Sequence, residues 1–395
     1  MSKVVQRTEN ASTTTLKSLP NFEVEKLRHL LLLPPEMGVD VEKCRKSFME
    51  FIKRDEMYPY YDKVKHQFGI IEDNPEIEAF KDTSAKQIAE FNEKIEFAEK
   101  NFGSSEIKDA ILDKANYYFK IGDHDNSIKV YELALEKTVG VNSKLEIILG
   151  IMRVAFFFND VPLLVKYIEK AKEEVERGGD WELRNRLHIY EAVQLILCRK
   201  FLPATELLLK SLSTFTATEF ISLEELVLYT IVLSLITMDR PTIRKKVLES
   251  AEVSQVASGT TLYQLISDFY NCNYKNYMFN LVKVSELILK DRYLARHCKY
   301  IIRQARLPAY KQFLRPYKSV TIKNMAEAFQ VSPEFIEGEL VSYISGMRLD
   351  CKIDKVNGII ENNVTDERNN NYVETIKQGD LLINRIQKLS RIIDM

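Results

Sequence analysis

Five histidines (His29, His66, His124, His188, His297) and five cysteines (Cys44, Cys198, Cys272, Cys298, Cys351) are the side chains best suited to metal binding or nucleophilic attack. Zinc would need them in closely spaced sets that bring four ligands together. No CxxC, HxH or HxxxH occurs. His297 and Cys298 are adjacent, and successive residues of a helix point in different directions, so they do not form a nucleophile–base pair. The phosphate-cradling patterns GxxxxGK[ST] and GxGxxG are both absent. Gly178-Gly179-Asp180, just before the sole tryptophan Trp181, reads as a glycine helix stop followed by an Asp N-cap. No catalytic, cofactor-binding or metal-binding residue is assigned, and no enzyme activity or cofactor is expected.

Two non-catalytic features stand out. Arg292, Arg296, Lys299, Arg303 and Arg306 recur at spacings of four and three, which on a continuous helix makes one basic face. Such a face is either solvated or a docking stripe for an acidic partner. RNA is a weaker reading, because only Tyr293 and Tyr300 interleave with it. The second feature is the tail, YVETIKQGDLLINRIQKLSRIIDM. Leu382, Ile386, Leu389 and Ile393 step by four, three and four, while Ile376 and Ile383 widen the stripe. That face must be buried somewhere, against the chain's own helices or in an intermolecular bundle.

The elements that carry these features read as follows. From Val39 to Phe68 a helical pattern is interrupted by Tyr58-Pro59-Tyr60-Tyr61, and Glu76–Asn101 reads as a charged helix. Between Glu106 and Glu249 four helix pairs follow at a spacing a little under forty residues. They begin with AILDKANYYFKIGDHDNSIKVYELALEKT, whose Gly122-Asp123 marks a turn between helices. This is the tetratricopeptide-type unit, which buries its apolar face only by stacking. After further helices, Ser319–Ile322 reads as a short strand. Met325, Ala326 and Phe329 share one helix face, and Ser332-Pro333 starts a second helix carrying Ile336, Leu340 and Ile344. Leu349, Cys351 and Ile353 alternate with polar residues, and Asn357-Gly358 suits a tight hairpin turn. Strand, helix, turn, helix and hairpin spell a winged helix. Its second helix offers Glu334, Glu337 and Glu339 and no basic residue before Arg348, which argues against DNA reading.

Composition agrees. In 395 residues, 56 Lys+Arg balance 57 Asp+Glu, so nothing global calls for nucleic acid. Only 13 glycines and 11 prolines favour long helices over turn-rich sandwiches. An odd number of scattered cysteines fits reduced thiols, no apolar run is long enough to cross a bilayer, and the N-terminus lacks a signal-peptide core. The expected fold is all-α: a right-handed superhelical solenoid of TPR-like repeats, a winged-helix module with a small β-hairpin, and a C-terminal helix. The expected divisions are a disordered leader 1–19, a helical extension 20–103, the solenoid 104–314, the winged helix 315–363, a linker 364–371 and a tail helix 372–395.

A helical-repeat solenoid ending in a winged helix resembles the PCI domain. Within that group, KIGDHDNSIKVY (120–131), ERGGDWELRNRLHIYEA (176–192), YKSVTIKNMAEAFQVS (317–332), LDCKIDKVNGIIEN (349–362) and KQGDLLINRIQKL (377–389) are similar to non-ATPase subunits of the proteasome regulatory-particle lid. The resemblance implies a non-catalytic scaffold that supports degradation of ubiquitinated proteins. Its partners would be other lid PCI subunits, the MPN pair containing the lid deubiquitinase, and the ATPase ring, in cytoplasm and nucleus. It also implies that Ser319, Val320, Thr321, Ile322, Cys351 and Ile353 pair with a neighbouring subunit, and that Ile376, Leu382, Ile383, Ile386, Leu389 and Ile393 enter a helical bundle. The paralogous alternative is the first PCI subunit of the COP9 signalosome, and a second alternative is a winged-helix nucleic-acid binder.

Overall fold

The computed structural model describes residues 22–34, 38, 40–65, 75–101, 103–362 and 367–393. The leader 1–19 and His66 lie outside the described residues. Two units form: Met1–Ser267 with Asn280–Ile302, and Asp268–Phe279 with Arg303–Met395.

The first unit opens with α1 (Phe22–Leu31), α2 (Val41–Asp55) and α3 (Tyr58–Val64), before the long α4 (Pro75–Asn101). Tyr58-Pro59 begins a helix rather than interrupting one. Glu56 takes the left-handed conformation (φ 54°) to end α2, and Pro59 loses nothing in a first turn whose N–H groups have no helical partner.

Four helix pairs follow: α5 (Ser104–Ile121) with α6 (His124–Lys137), α7 (Val141–Phe158) with α8 (Val161–Glu176), α9 (Trp181–Leu197) with α10 (Phe201–Ser211), and α11 (Leu223–Thr237) with α12 (Arg240–Ile243). The last continues as a π-helical turn, Arg244–Leu248. Each helix packs chiefly on its predecessor and successor, the nearest-neighbour pattern of stacked repeats.

The α5–α6 turn shows why the sequence folds this way. Gly122 has φ 78°, and a Cβ there would meet Tyr60 Cβ at 2.5 Å, so only glycine fits. Asp123 then caps α6 by accepting the Asn126 N–H. Ser127 and Ala134 are buried where α6 meets its neighbours. Asp180 stands at the N-cap position of α9 but makes no side-chain cap; its own N–H donates to Asn142 Oδ1 at 3.1 Å. α7 is buried almost all round, from Leu145 to Phe157, which makes it the spine of this unit.

A buried carboxylate fastens α1 to this spine. Glu25 is 2% exposed. It accepts from Tyr60 Oη at 2.6 Å and Arg28 Nη1 at 2.8 Å, and it pairs with Arg292 Nη2 at 3.1 Å. Arg292 also donates to the Phe157 carbonyl at 2.6 Å. His29 Nε2 lies 3.0 Å from the Leu289 carbonyl, 260 residues away in sequence.

Three helices contribute to both units or link them: α14 (Thr261–Tyr270), α15 (Tyr274–Lys290) and α16 (Cys298–Leu314), after the short α13 (Ala251–Ala257). The second unit adds β1 (Ser319–Thr321), α17 (Ile322–Phe329), α18 (Pro333–Ser345), β2 (Cys351–Asp354) and β3 (Ile359–Asn362). The antiparallel sheet runs β1-β3-β2. Met325, Ala326 and Phe329 of α17 and Ile336 and Leu340 of α18 are buried, as their spacing requires. Thr321 and Ser332 cap α17 and α18 through the N–H groups of Asn324 and Phe335.

Two details differ from the sequence expectation. Ile322 is the first residue of α17, not a strand residue. The hairpin turn is four residues long, and only Gly358 has positive φ (63°), because Asp354 ties it by accepting from the N–H groups of Val356 and Asn357.

The last element, α19 (Glu367–Ile393), starts five residues before Tyr372, so the expected linker is helical from Glu367. Residues 364–366 of that linker lie outside the described residues. Among the described residues no helix is long and apolar enough to cross a membrane, and no group of three or more His, Cys, Asp or Glu could hold a metal ion.

Candidate assembly surfaces

The sheet is short, and its free hydrogen-bonding groups can be assigned. β3 is central, so β1 and β2 are its two edges. The Asn362 N–H donates to the Lys318 carbonyl and the Ile322 N–H to the Gly358 carbonyl, each at 2.9 Å. Even-numbered residues of β1 therefore face β3. Backbone groups alternate sides along an antiparallel strand. That turns the N–H and C=O of Ser319 and the N–H of Thr321 outward. With Val320 opposite Ile360 and Ile353 opposite Ile360 in register, the same alternation turns the backbones of Cys351 and Ile353 to the outer edge of β2. The side chains of Val320, Ile322 and Cys351 are core, at 8%, 8% and 5% exposure. What this module offers at β1 is main chain, with the exposed side chains of Ser319 and Thr321 beside it.

The five cations of the expected stripe do not share a helix face. Ala295–His297 forms a 3₁₀ turn and α16 starts only at Cys298, so Arg292 and Arg296 precede it. Asp291 Oδ2 breaks the helix by accepting the N–H groups of Tyr293 and Leu294 at 3.0 and 2.8 Å. Arg292 is committed to Glu25 and Phe157 inside the first unit. In the second unit Arg303 donates to Ser342 and lies 5.6 Å over the Tyr343 ring, while Arg306 pairs with Glu339 and covers Phe335. Arg296 and Lys299 remain exposed.

Glu339 also accepts from Tyr310 Oη at 2.8 Å, and Glu337 holds Lys355 of the hairpin at 2.9 Å. The carboxylates of α18 thus organise the winged helix itself. Burial and the neighbouring Glu339 push the Tyr310 phenol well above its ordinary range.

His297 and Cys298 do not meet as a catalytic pair. Arg199 Nε donates to His297 Nδ1 at 2.9 Å. The other nitrogen, Nε2, therefore carries the proton and donates to the Leu197 carbonyl at 3.2 Å. Burial lowers the pKa of this imidazole, and Arg199 and Arg296 add to the effect. Cys298 Sγ lies 3.7 Å from the Ser285 carbonyl, and burial raises its thiol pKa.

α19 is different in kind. Every described side chain from Arg368 to Ile393 is exposed. The six stripe residues expected from the sequence are 54–72% exposed. Tyr372 and Val373 at its start, and Leu381 and Ile392, are exposed too. Leu381 and Ile392 lie about three turns apart on the side opposite the stripe. The spacing rule that found the stripe looks for one face and so passed over this second line.

Three stretches match known family models. Residues 73–246 match "26S proteasome subunit RPN7", 275–363 the PCI domain, and 372–393 the "26S proteasome regulatory subunit RPN7/PSMD6 C-terminal helix". The chain is 40% identical over 384 residues to 26S proteasome non-ATPase regulatory subunit 6 of Caenorhabditis elegans, covering 95% of this chain and 93% of that protein. The chain belongs to the RPN7/PSMD6 family of 26S proteasome regulatory subunits. Regulatory subunit RPN7 of Saccharomyces cerevisiae is 33% identical over 404 residues, 95% of this chain and 93% of its own length. COP9 signalosome complex subunit 1b of Drosophila melanogaster is 25% identical over 312 residues, 76% of this chain and 59% of its own length. The proteasome reading is thereby favoured over the signalosome one. The family models also meet the structure at the right elements: α19 contains the matched C-terminal helix, and the PCI match runs from α15 through β3.

Proposed function

We propose that this RPN7/PSMD6-family chain is a non-catalytic scaffold of the regulatory-particle lid, joined to other subunits at two places. One is the β1 edge, where Ser319 and Thr321 present backbone groups to a strand of a neighbouring PCI subunit. Strand addition uses such groups without needing a pocket. The other is α19, which enters a bundle of helices. The observation that carries the reading is the exposed stripe of α19, six aliphatic side chains at 54–72% exposure on one helix face. A soluble chain keeps so large an apolar surface in water only where a partner covers it. Leu381 and Ile392 on the far side favour a bundle over a simple pair, since two apolar faces need more than one neighbour.

In this reading the other lid PCI subunits bind at β1. The MPN pair that contains the deubiquitinase and the ATPase ring are further partners of the assembled particle, which works in cytoplasm and nucleus. Its role is to support degradation of ubiquitinated proteins by holding other subunits in place.

The test is removal of residues 372–395 from a tagged full chain, followed by native mass spectrometry of the complex it recovers. The shortened chain is expected to fold, with the solenoid's circular dichroism intact, and to be missing from 26S particles. Normal incorporation of the shortened chain would refute the bundle role. Recovery of the intact chain with cullin-directed partners and no ATPase ring would replace the proteasome reading with the signalosome one.

A further inference from the structure

Gly379 lies near the start of the apolar stripe of α19, on its central line, and no described residue of this chain explains it. It is three residues from Ile376 and Leu382, four from Ile383 and seven from Ile386, so all of them share its face. A Cβ built on it meets no atom within 4 Å, and its backbone is not in the left-handed region. Glycine in an exposed helix interior weakens the helix relative to alanine. The intrachain structure therefore gives a reason to replace it and none to keep it.

Resting on the bundle reading, we infer that Gly379 is the point of closest crossing between α19 and a helix of another subunit, and that this partner helix carries acidic residues beside the half of α19 after Gly379. The absence of a side chain lets a second backbone approach, while the longer residues from Leu382 onward fill a wider gap further along. The same face thus has a narrow end and a broad end.

The partner's charge follows from the far half. Residues 381–393 carry Arg385, Lys388 and Arg391 and no acid, all exposed. Arg385 borders the stripe beside Leu389, four residues on. Apolar contact buries those borders, and like charges brought together there would weaken it. An acidic flank on the partner satisfies them. Of the three cations Arg385 is the one that flanks this face, so a second copy running parallel would oppose Arg385 to itself, and the match of residues 372–393 to the C-terminal helix of a proteasome regulatory subunit favours another subunit as the occupant.

The test compares Gly379→Ala and Gly379→Leu in the tagged full chain. Helix propensity and crossing geometry predict opposite signs at Gly379. Both Gly379 variants should raise far-ultraviolet helicity or leave it unchanged. Gly379→Leu should lower occupancy in 26S particles roughly tenfold or more, as overpacking does. Gly379→Ala should fall between it and the wild type. Reversal of Arg385, Lys388 and Arg391 to Glu should also reduce occupancy.

Wild-type occupancy for Gly379→Leu would overturn the crossing. If removal of residues 372–395 still blocked assembly, the bundle reading would stand without it. If that removal were harmless, the bundle reading itself would fail. Sedimentation of the full chain as a dimer that Gly379→Leu dissociates would overturn the acidic heterologous partner in favour of a second copy.

Discussion

Glu25 shows how much one buried carboxylate can hold. Three donors converge on it, Tyr60, Arg28 and Arg292, and the last also anchors the Phe157 carbonyl. Glu25→Gln keeps the shape and removes the charge, which leaves Arg292 buried without its counter-ion. Breaking a buried pair from one side is expected to lower unfolding stability by about 3 kcal/mol, measured by urea titration. His297 makes a second prediction, with a sign. Its folded pKa is below the unfolded value because burial, with Arg199 and Arg296 nearby, disfavours the charged ring and outweighs the opposing hydrogen bond to the Leu197 carbonyl. The unfolded chain therefore binds the proton more readily, and stability held above about pH 6.5 falls as pH drops through the unfolded value. The urea midpoint should fall more between pH 7 and pH 5 for the wild type than for His297→Gln. The spacing of the basic residues from 292 to 306 assumed an unbroken helix. Asp291 is what breaks it, and an Asp that will cap a turn looks in sequence like any other acid.

At the level of elements, the β1 edge makes the most direct prediction. Ser319→Pro removes an N–H that points away from β3, so the ladder to β3 stays intact and proline is tolerated on an edge. The variant is expected to keep its fold and thermal midpoint while its pairing with a neighbouring PCI subunit weakens, read by pull-down from dissociated lids. Equal pull-down would remove the strand-addition role. Much at this scale was legible in sequence. The helix pairs were, because the apolar period is strong and Gly122-Asp123 and Asp160 mark the first two turns, although the α9–α10 turn, Cys198-Arg199-Lys200, carries neither glycine nor a capping side chain. So was the α17–α18 pair, because Ser332 and Pro333 fix where the second helix starts. The exact ends were less so. Ile322 read as strand because the β-branched Val320, Thr321 and Ile322 follow one another there, yet the Thr321 cap had already begun α17. Tyr58-Pro59 read as an interruption because proline ends helices far more visibly than it starts them.

For the whole molecule, the winged helix raises nucleic acid as a partner, and the charges answer it. Glu339 is consumed by Arg306 and Tyr310, and Glu337 by Lys355, while Glu334 stands exposed on the same helix. Two of the five cations that could have offset them, Arg303 and Arg306, are engaged inside the same module. The purified chain is expected to show no saturable binding to duplex DNA or RNA at 150 mM salt by fluorescence anisotropy. Tight binding with a steep salt slope would reopen that reading. Family membership and architecture were both within reach of the sequence, because the blocks that carry the resemblance are spread from the helical repeats to the tail. The two apolar sides of α19 became visible only when every described side chain on it was found exposed.

The fastening of α1 has a consequence for how the chain is made. His29 and Glu25 leave the ribosome early, yet their partners Leu289 and Arg292 come about 260 residues later. At about 5–20 residues per second that is a wait of roughly 13 to 52 s. Throughout it, Phe22 and the apolar side of α1 have no finished seat, and the seat itself is built from the middle and the far end of the chain. A nascent chain arrested before residue 292 should leave its amino-terminal helix open to protease and to holding chaperones, and one arrested beyond it should not.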